Sequence, residues 1–171
     1  KLGRFHDMSQ LTVKKVDTAH LYMQTKCIGC TIMMNRAILP YLKELPEEIR
    51  VHDWWLALIC SHFGAIGYLP EATLMYRQHE GNQIGGTSYS GYLKKRVSKM
   101  KEQRQVLFDT YRQGKAFLQV FDSKMTKEQR KTATKFAAMT DASFLGRRYL
   151  ALRYGFLKSG LIRNAGLFFL L

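Results

Sequence analysis

Between Leu93 and Leu118 the apolar side chains return at steps of three and four residues, or sums of them: Leu93, Val97, Met100, Leu107, Tyr111, Leu118. Lysines and arginines fill the positions between. This period predicts a long amphipathic helix running to about Phe121, which must lay its apolar stripe against other elements. "TKEQRKTATKFAAM" starts a second helix, with Thr126 as N-cap and Gln129 completing a capping box three residues later. "ASFLGRRYLALRYGFLKSGLIRNAGLFFLL" continues as one or two more helices with a bulky apolar face. Residues 87–171 therefore read as an all-helical extension.

That extension also carries the charge. Residues 1–85 hold 9 Lys and Arg against 8 Asp and Glu, a net of +1, whereas residues 86–171 hold 18 against 5, a net of +13. A basic half of this kind seeks a polyanion, either nucleic acid or an anionic membrane surface. No stretch reaches 18 uncharged apolar residues, so no transmembrane helix is expected. The opening "KLGRFHDMSQLTVKK" shows no apolar leader. Three cysteines, Cys27, Cys30 and Cys60, do not suit a disulfide scaffold. Cys27 and Cys30 form a C-x-x-C without a second Cys/His pair at ligand spacing, so zinc or redox chemistry is the lesser reading. Reduced thiols and a cytoplasmic setting fit better.

The first half reads as mixed α/β. Residues 1–26 are polar and weakly patterned, as in a loop. "CIGCTIMMNR" (27–36) reads as a short buried strand, and "RAILPYLKEL" (36–45) as a helix with Pro40 in its first turn or at a kink. From Asp53 to Phe63 the apolar positions Trp55, Leu58 and Ile59, with His62, fall at helical spacing, and Gly64 ends the helix. "AIGYL" and "ATLMYRQH" read as two further strands, and "EGNQIGGTS" (80–88) as the link between the halves.

Two clusters in this half could carry chemistry. In "RVHDWWLALIC" one acid, Asp53, stands between His52 and two tryptophans, Trp54 and Trp55. An Asp at a helix start is often an N-cap whose oxygen accepts a first-turn N–H. The alternative is a general base, because a carboxylate against indole faces loses solvation and becomes a better base. Tryptophan faces also serve as platforms for sugar rings. The second cluster is "YRQHEGNQIGG". Arg77 offers a planar fork to phosphate oxygens, His79 can ligate a metal, and a glycine-rich loop lets backbone amides approach an anion. A solvated strand end is the plain alternative.

The segments "CIGCTIMMNR", "VHDWWLALICSHFGAIGYLPEATLMYRQH" and "GNQIGG", in this order and spacing, resemble the C-terminal half of bacterial family-2 glycosyltransferases, most closely the rhamnosyltransferase-like members. The resemblance covers residues 25–86 and extends more loosely over the basic tail. It implies that residues 1–86 are the acceptor-side portion of a GT-A, Rossmann-like nucleotide-sugar domain, with 87–171 as a basic helical extension. It further implies an inverting transfer from a nucleotide-diphospho sugar, dTDP-rhamnose among the candidates, to a saccharide or lipid-linked acceptor. Asp53 would be the base. Arg77 and Gln78 would lie by the diphosphate, with His79 as a ligand to a divalent Mg or Mn. Gly29, Cys30 and Thr31 would line the donor or acceptor pocket, and His52, Trp54 and Trp55 the acceptor site, with at least one of the two tryptophans packed into the core. The family's D-x-D-type acidic motif has no counterpart in residues 1–24, where Asp7 and Asp17 stand alone, so a chain truncated after that motif is expected.

The tail "RRYLALRYGFLKSGLIR" sets Arg147, Arg148, Arg153, Lys158 and Arg163 among aromatic and aliphatic residues. Such a pattern suits the interface of an anionic bilayer, on the inner face of the plasma membrane for a lipid-linked acceptor. A face packed on the catalytic part and a homodimer interface through "LFFLL" are the alternatives. A rival of another class is a non-catalytic basic module that holds nucleic acid, although the tail has no nucleic-acid motif.

Overall fold

The computed structural model describes residues 7, 11, 16–43, 45–75, 77 and 99–171. Its regular structure is helical: α1 (Thr18–Met23), α2 (His52–Phe63), α3 (Met100–Phe121), α4 (Lys127–Ala137), α5 (Phe144–Tyr154) and α6 (Leu161–Leu170). Four short 3-10 segments join them, at Gly29–Thr31, Arg36–Tyr41, Asp122–Lys124 and Ala138–Thr140.

Among the described residues there is no strand, which overturns the α/β, Rossmann-like reading of residues 1–86. The segment 27–36, expected as a buried strand, turns through the 3-10 segment Gly29–Thr31 and leaves Met33 97% exposed. Thr31 Oγ1 donates to the Ile28 carbonyl at 2.8 Å, and the Asn35 side chain caps the following 3-10 helix, which contains Pro40. Residues 65–70 and 72–75 have no regular structure, and Leu69, Leu74 and Met75 are exposed. A short apolar run becomes a strand only where a neighbour completes its backbone ladder, and no described segment does so.

The helices follow their sequence signals more closely. Thr126 accepts from the Gln129 N–H at 3.3 Å and the Gln129 side chain accepts from the Thr126 N–H at 2.8 Å, closing the expected capping box of α4. α3 ends at Phe121 as its period predicts, while its expected first residues, 93–98, lie outside the described ones. The expected boundary at residue 86 lies outside them too. α1 falls within a stretch expected as loop, because six residues are too few to show a period. Asp17 caps it by accepting the Ala19 N–H at 2.8 Å, and it buries Leu21, Tyr22 and Met23.

One aromatic core unites residues from both halves of the chain. Phe117 of α3 packs against Trp55 at 5.1 Å between ring centroids, His62 at 4.8 Å and Phe121 at 4.8 Å. Tyr22 stacks on Phe136 of α4 at 4.8 Å, and Phe156 meets Phe136 edge-on at 5.0 Å. α3 and α4 cross closely at Gly114, where an added Cβ would stand 2.3 Å from Phe136 Cδ1. Gly114→Ala sets two effects against each other. Helix propensity favours alanine by about 1 kcal/mol, whereas overpacking a filled core costs roughly 1–3 kcal/mol. The Phe136 ring is held by Tyr22, Tyr111 and Phe156, so it cannot swing aside. The variant is expected to lose about 1 kcal/mol or more in urea denaturation; a gain would mean that the ring has room to yield.

His62 is buried in the same core. The Leu58 carbonyl, 2.9 Å from Nδ1, can only accept, so Nδ1 carries the proton, and Nε2 accepts from the Tyr22 hydroxyl at 3.1 Å. Burial pushes the His62 pKa below its ordinary 6.5, against a smaller opposing effect of the Leu58 carbonyl. The unfolded chain therefore takes up a proton at higher pH than the fold does. The stabilising contribution is complete above 6.5 and declines as pH falls through that value toward the folded-state pKa. Urea midpoints measured from about pH 7 down to pH 5 should fall, and His62→Gln, though weaker overall, should flatten that fall. An unchanged slope in the variant would assign the acid sensitivity to another group.

Two arginines close helix ends. Arg147 donates from Nε to the Met139 carbonyl at 2.9 Å and from Nη2 to the Thr140 carbonyl at 3.2 Å. Arg148 Nε donates to the Phe168 carbonyl near the end of α6 at 3.1 Å, and its guanidinium lies 3.5 Å from the Phe144 ring. Cations at these carbonyl-rich ends are favourable.

Candidate active site

α2 begins at His52 after Val51, whose extended backbone is the N-cap and makes no side-chain capping bond. Asp53 is thus the second residue of the helix and not its cap, so the plain reading of this acid is corrected. Its Oδ2 accepts the N–H of Gly29 at 3.0 Å, across 24 residues of sequence. Its Oδ1 is shielded from solvent and has no hydrogen-bond partner among the described residues. Asp53 as a whole is half-buried and His52 beside it is exposed, so the carboxylate sits just beneath the surface. A negative group in the first turn of a twelve-residue helix is also favoured by the helix dipole.

Glycine at position 29 keeps the approach to α2 open, and the atom that a side chain would first meet belongs to the tip of the exposed His52, which can turn aside. A Cβ there would stand 2.7 Å from His52 Nε2 and 3.7 Å from Asp53 Cβ. Without a side chain, the Gly29–Thr31 turn can lie on the start of α2 and present its N–H to the carboxylate. Cys30 and Thr31 are exposed on the same turn. Cys27, half-buried one turn earlier, has its thiol pKa pushed up by burial first and by the neighbouring Asp53 and Cys60 second. A thiol so raised is a poor thiolate donor, and all three cysteines are free.

The tryptophans face the other way. Trp54 and Trp55 are 5% and 1% exposed. Trp54 Nε1 donates to the Leu21 carbonyl, and the Arg50 guanidinium lies 5.1 Å from its ring. Trp55 packs on Phe117 and Phe121. Both indoles therefore anchor α2 to the core and offer no open face to a sugar ring here; their part at the site is to hold Asp53 still. Of the residues read as acceptor-binding, His52 alone stands at the open rim.

Arg77 is exposed, while Gln78 and His79 lie outside the described residues. Among the described residues no group of three or more His, Cys, Asp or Glu could hold a metal ion. The described side chains thus provide no donor set for Mg or Mn.

Arg50, unremarked in the sequence, ties the entry to α2 onto α3. Its N–H donates to Gln113 Oε1 at 3.0 Å and its Nη1 to Thr110 Oγ1 at 2.8 Å. It borders an open, polar cleft of 440 Å³ that Glu47, Glu48, Asp109 and Arg112 also line. The sequence holds no signal for this pairing, since 60 residues separate Arg50 from Thr110.

No family model, no curated protein and no solved structure matches the chain.

Proposed function

We propose that this chain supplies the base of a sugar transferase that uses a nucleotide-diphospho sugar and a hydroxyl acceptor. The observation that carries the reading is the division of labour within one carboxylate. Oδ2 of Asp53 is held by the Gly29 N–H, and Oδ1, shielded from solvent next to the exposed His52, has no hydrogen-bond partner among the described residues. A base of this kind needs rigidity on one oxygen and a vacant lone pair on the other.

In the reaction, the acceptor hydroxyl approaches Asp53 and its oxygen attacks the anomeric carbon of the donor. The O–H proton passes to Asp53 as the new C–O bond forms. The bond from the anomeric carbon to the diphosphate breaks, and the nucleoside diphosphate departs with the electron pair, inverting the anomeric centre. His52, exposed beside Asp53, would donate a hydrogen bond to the acceptor. By the resemblance of the "RQH" segment, Arg77 would offer its guanidinium to the anionic leaving group. The reading also agrees with the resemblance of "HDWW" and "RQH", at their spacing, to family-2 glycosyltransferases.

Sugar transfer by the whole protein, followed chromatographically with a panel of nucleotide-diphospho sugars and lipid-linked saccharides, tests the proposal through Asp53 variants. Turnover at the wild-type level after loss of the carboxylate removes Asp53 from the chemistry. Tight binding of a nucleic-acid duplex without any transfer would favour the rival, a basic binding module.

A further inference from the structure

The basic tail is built differently from a phosphate-tracking surface. Of its five cations, Arg147 and Arg148 donate to helix-end carbonyls, and Arg163 is buried and donates to the Ser159 carbonyl at 3.2 Å. What the tail exposes instead is hydrocarbon. On α5, Leu145, Tyr149 and Leu152 are 73%, 63% and 64% exposed. At about 100° per residue they share one narrow face, opposite the fully buried Ala151. α6 repeats the pattern, burying Arg163 and Leu167 while exposing Leu161, Ile162 and Phe169. Arg148 bridges the start of α5 to the end of α6, so the two helices are tied at that end.

We infer that the outward faces of α5 and α6 form a docking surface for an anionic lipid bilayer, seated in the plane of the headgroups. Charge complementarity selects this occupant. Residues 142–171 contain five Lys and Arg (147, 148, 153, 158 and 163) and no Asp or Glu. By helical angle, the exposed Arg153 flanks the Leu145–Tyr149–Leu152 stripe on one side, and on the other Arg148 adds its charge while its guanidinium stays bound to the Phe168 carbonyl and the Phe144 ring. An apolar stripe bordered by arginines on a short surface helix inserts its hydrocarbon at the acyl boundary and leaves cations at the phosphates. A second copy of the chain would bring the same acid-free, positively charged face against itself. The inference does not depend on the sugar-transfer reading, since it concerns binding and not turnover.

The test is co-sedimentation of the full chain with vesicles of phosphatidylcholine alone, and with roughly one third phosphatidylglycerol. Wild type is expected to bind the anionic vesicles and to release as salt rises. Replacing Leu145, Tyr149 and Leu152 together by Ser leaves net charge unchanged and is expected to weaken binding by roughly tenfold or more. All three side chains are exposed, so an unchanged thermal melt would verify the fold. Tyr149→Trp supplies a further reading against the constant emission of the buried Trp54 and Trp55 in wild type: the added emission is expected to shift to the blue and to be quenched by brominated acyl chains. Wild-type affinity in the triple variant, equal binding to neutral vesicles, or no quenching at Trp in position 149 would overturn the inference. So would a stable dimer that the triple Ser variant dissolves, with no vesicle binding by wild type.

Discussion

Asp53→Asn is expected to lower kcat for sugar transfer by about 10²–10⁴-fold, the usual contribution of a positioned general base. The substitution is almost isosteric. The Asn amide oxygen can still accept the Gly29 N–H, the bond that fixes Oδ2 at 3.0 Å. What is lost is the capacity of the second atom to take a proton, because an amide is not a base near neutral pH. The thermal midpoint and the affinity for donor should therefore stay close to wild type while turnover collapses. A residue whose work was only structural would give the opposite pattern, a lowered midpoint with retained kcat. Asp53→Ala provides the comparison: it removes the acceptor for the Gly29 N–H as well, and should cost both stability and turnover. Chromatographic rates and scanning calorimetry on the same preparations separate the two patterns.

Phe117→Ala carries the largest expected effect on stability, about 3–5 kcal/mol. Phe117 is fully buried, and its ring meets those of Tyr22, Trp55, His62, Phe63 and Phe121, which come from α1, α2 and α3 itself. Truncation would leave a void among rigid rings that cannot collapse into it, the condition under which a cavity costs most. Against a total stability of about 5–15 kcal/mol, such a loss leaves a marginal fold. Phe117→Leu keeps most of the volume and should lose markedly less. Urea denaturation followed by tryptophan fluorescence measures both, since Trp55 reports directly on the site of the void. A loss under about 1 kcal/mol for the alanine variant would mean that the helices repack without this ring.

The legible parts of the sequence are those where local signals suffice. The spacing of Trp55, Leu58, Ile59 and His62 defines α2, and the Thr126–Gln129 pair marks the start of α4, because each is complete within a few residues. "CIGCTIMMNR" misleads for a physical reason. A short apolar run states a preference for burial but not the partner that would provide it, and with no neighbouring strand among the described residues Met33 points to solvent. The candidate site was half legible. Asp53 stands out by residue type, and the resemblance gives it a role. Its partner, Gly29, lies 24 residues away and is joined to it by a backbone N–H, which no side-chain pattern encodes. The tryptophans read both ways in the sequence, as a sugar platform by residue type and, for at least one of them, as core; both rings are buried and hold α2 in place.

The bond from Gly29 to Asp53 also gives the site a spectroscopic address. Glycine amides resonate in a sparsely occupied region of a nitrogen–proton correlation spectrum, and this one donates to the very carboxylate that would handle the acceptor proton. Its chemical shift follows the charge on the oxygen it touches. A titration that watches one cross-peak can therefore follow the acid–base state of Asp53 without substrate, turnover or substitution. Slow exchange of the same proton with solvent would report how long the turn stays closed on the helix.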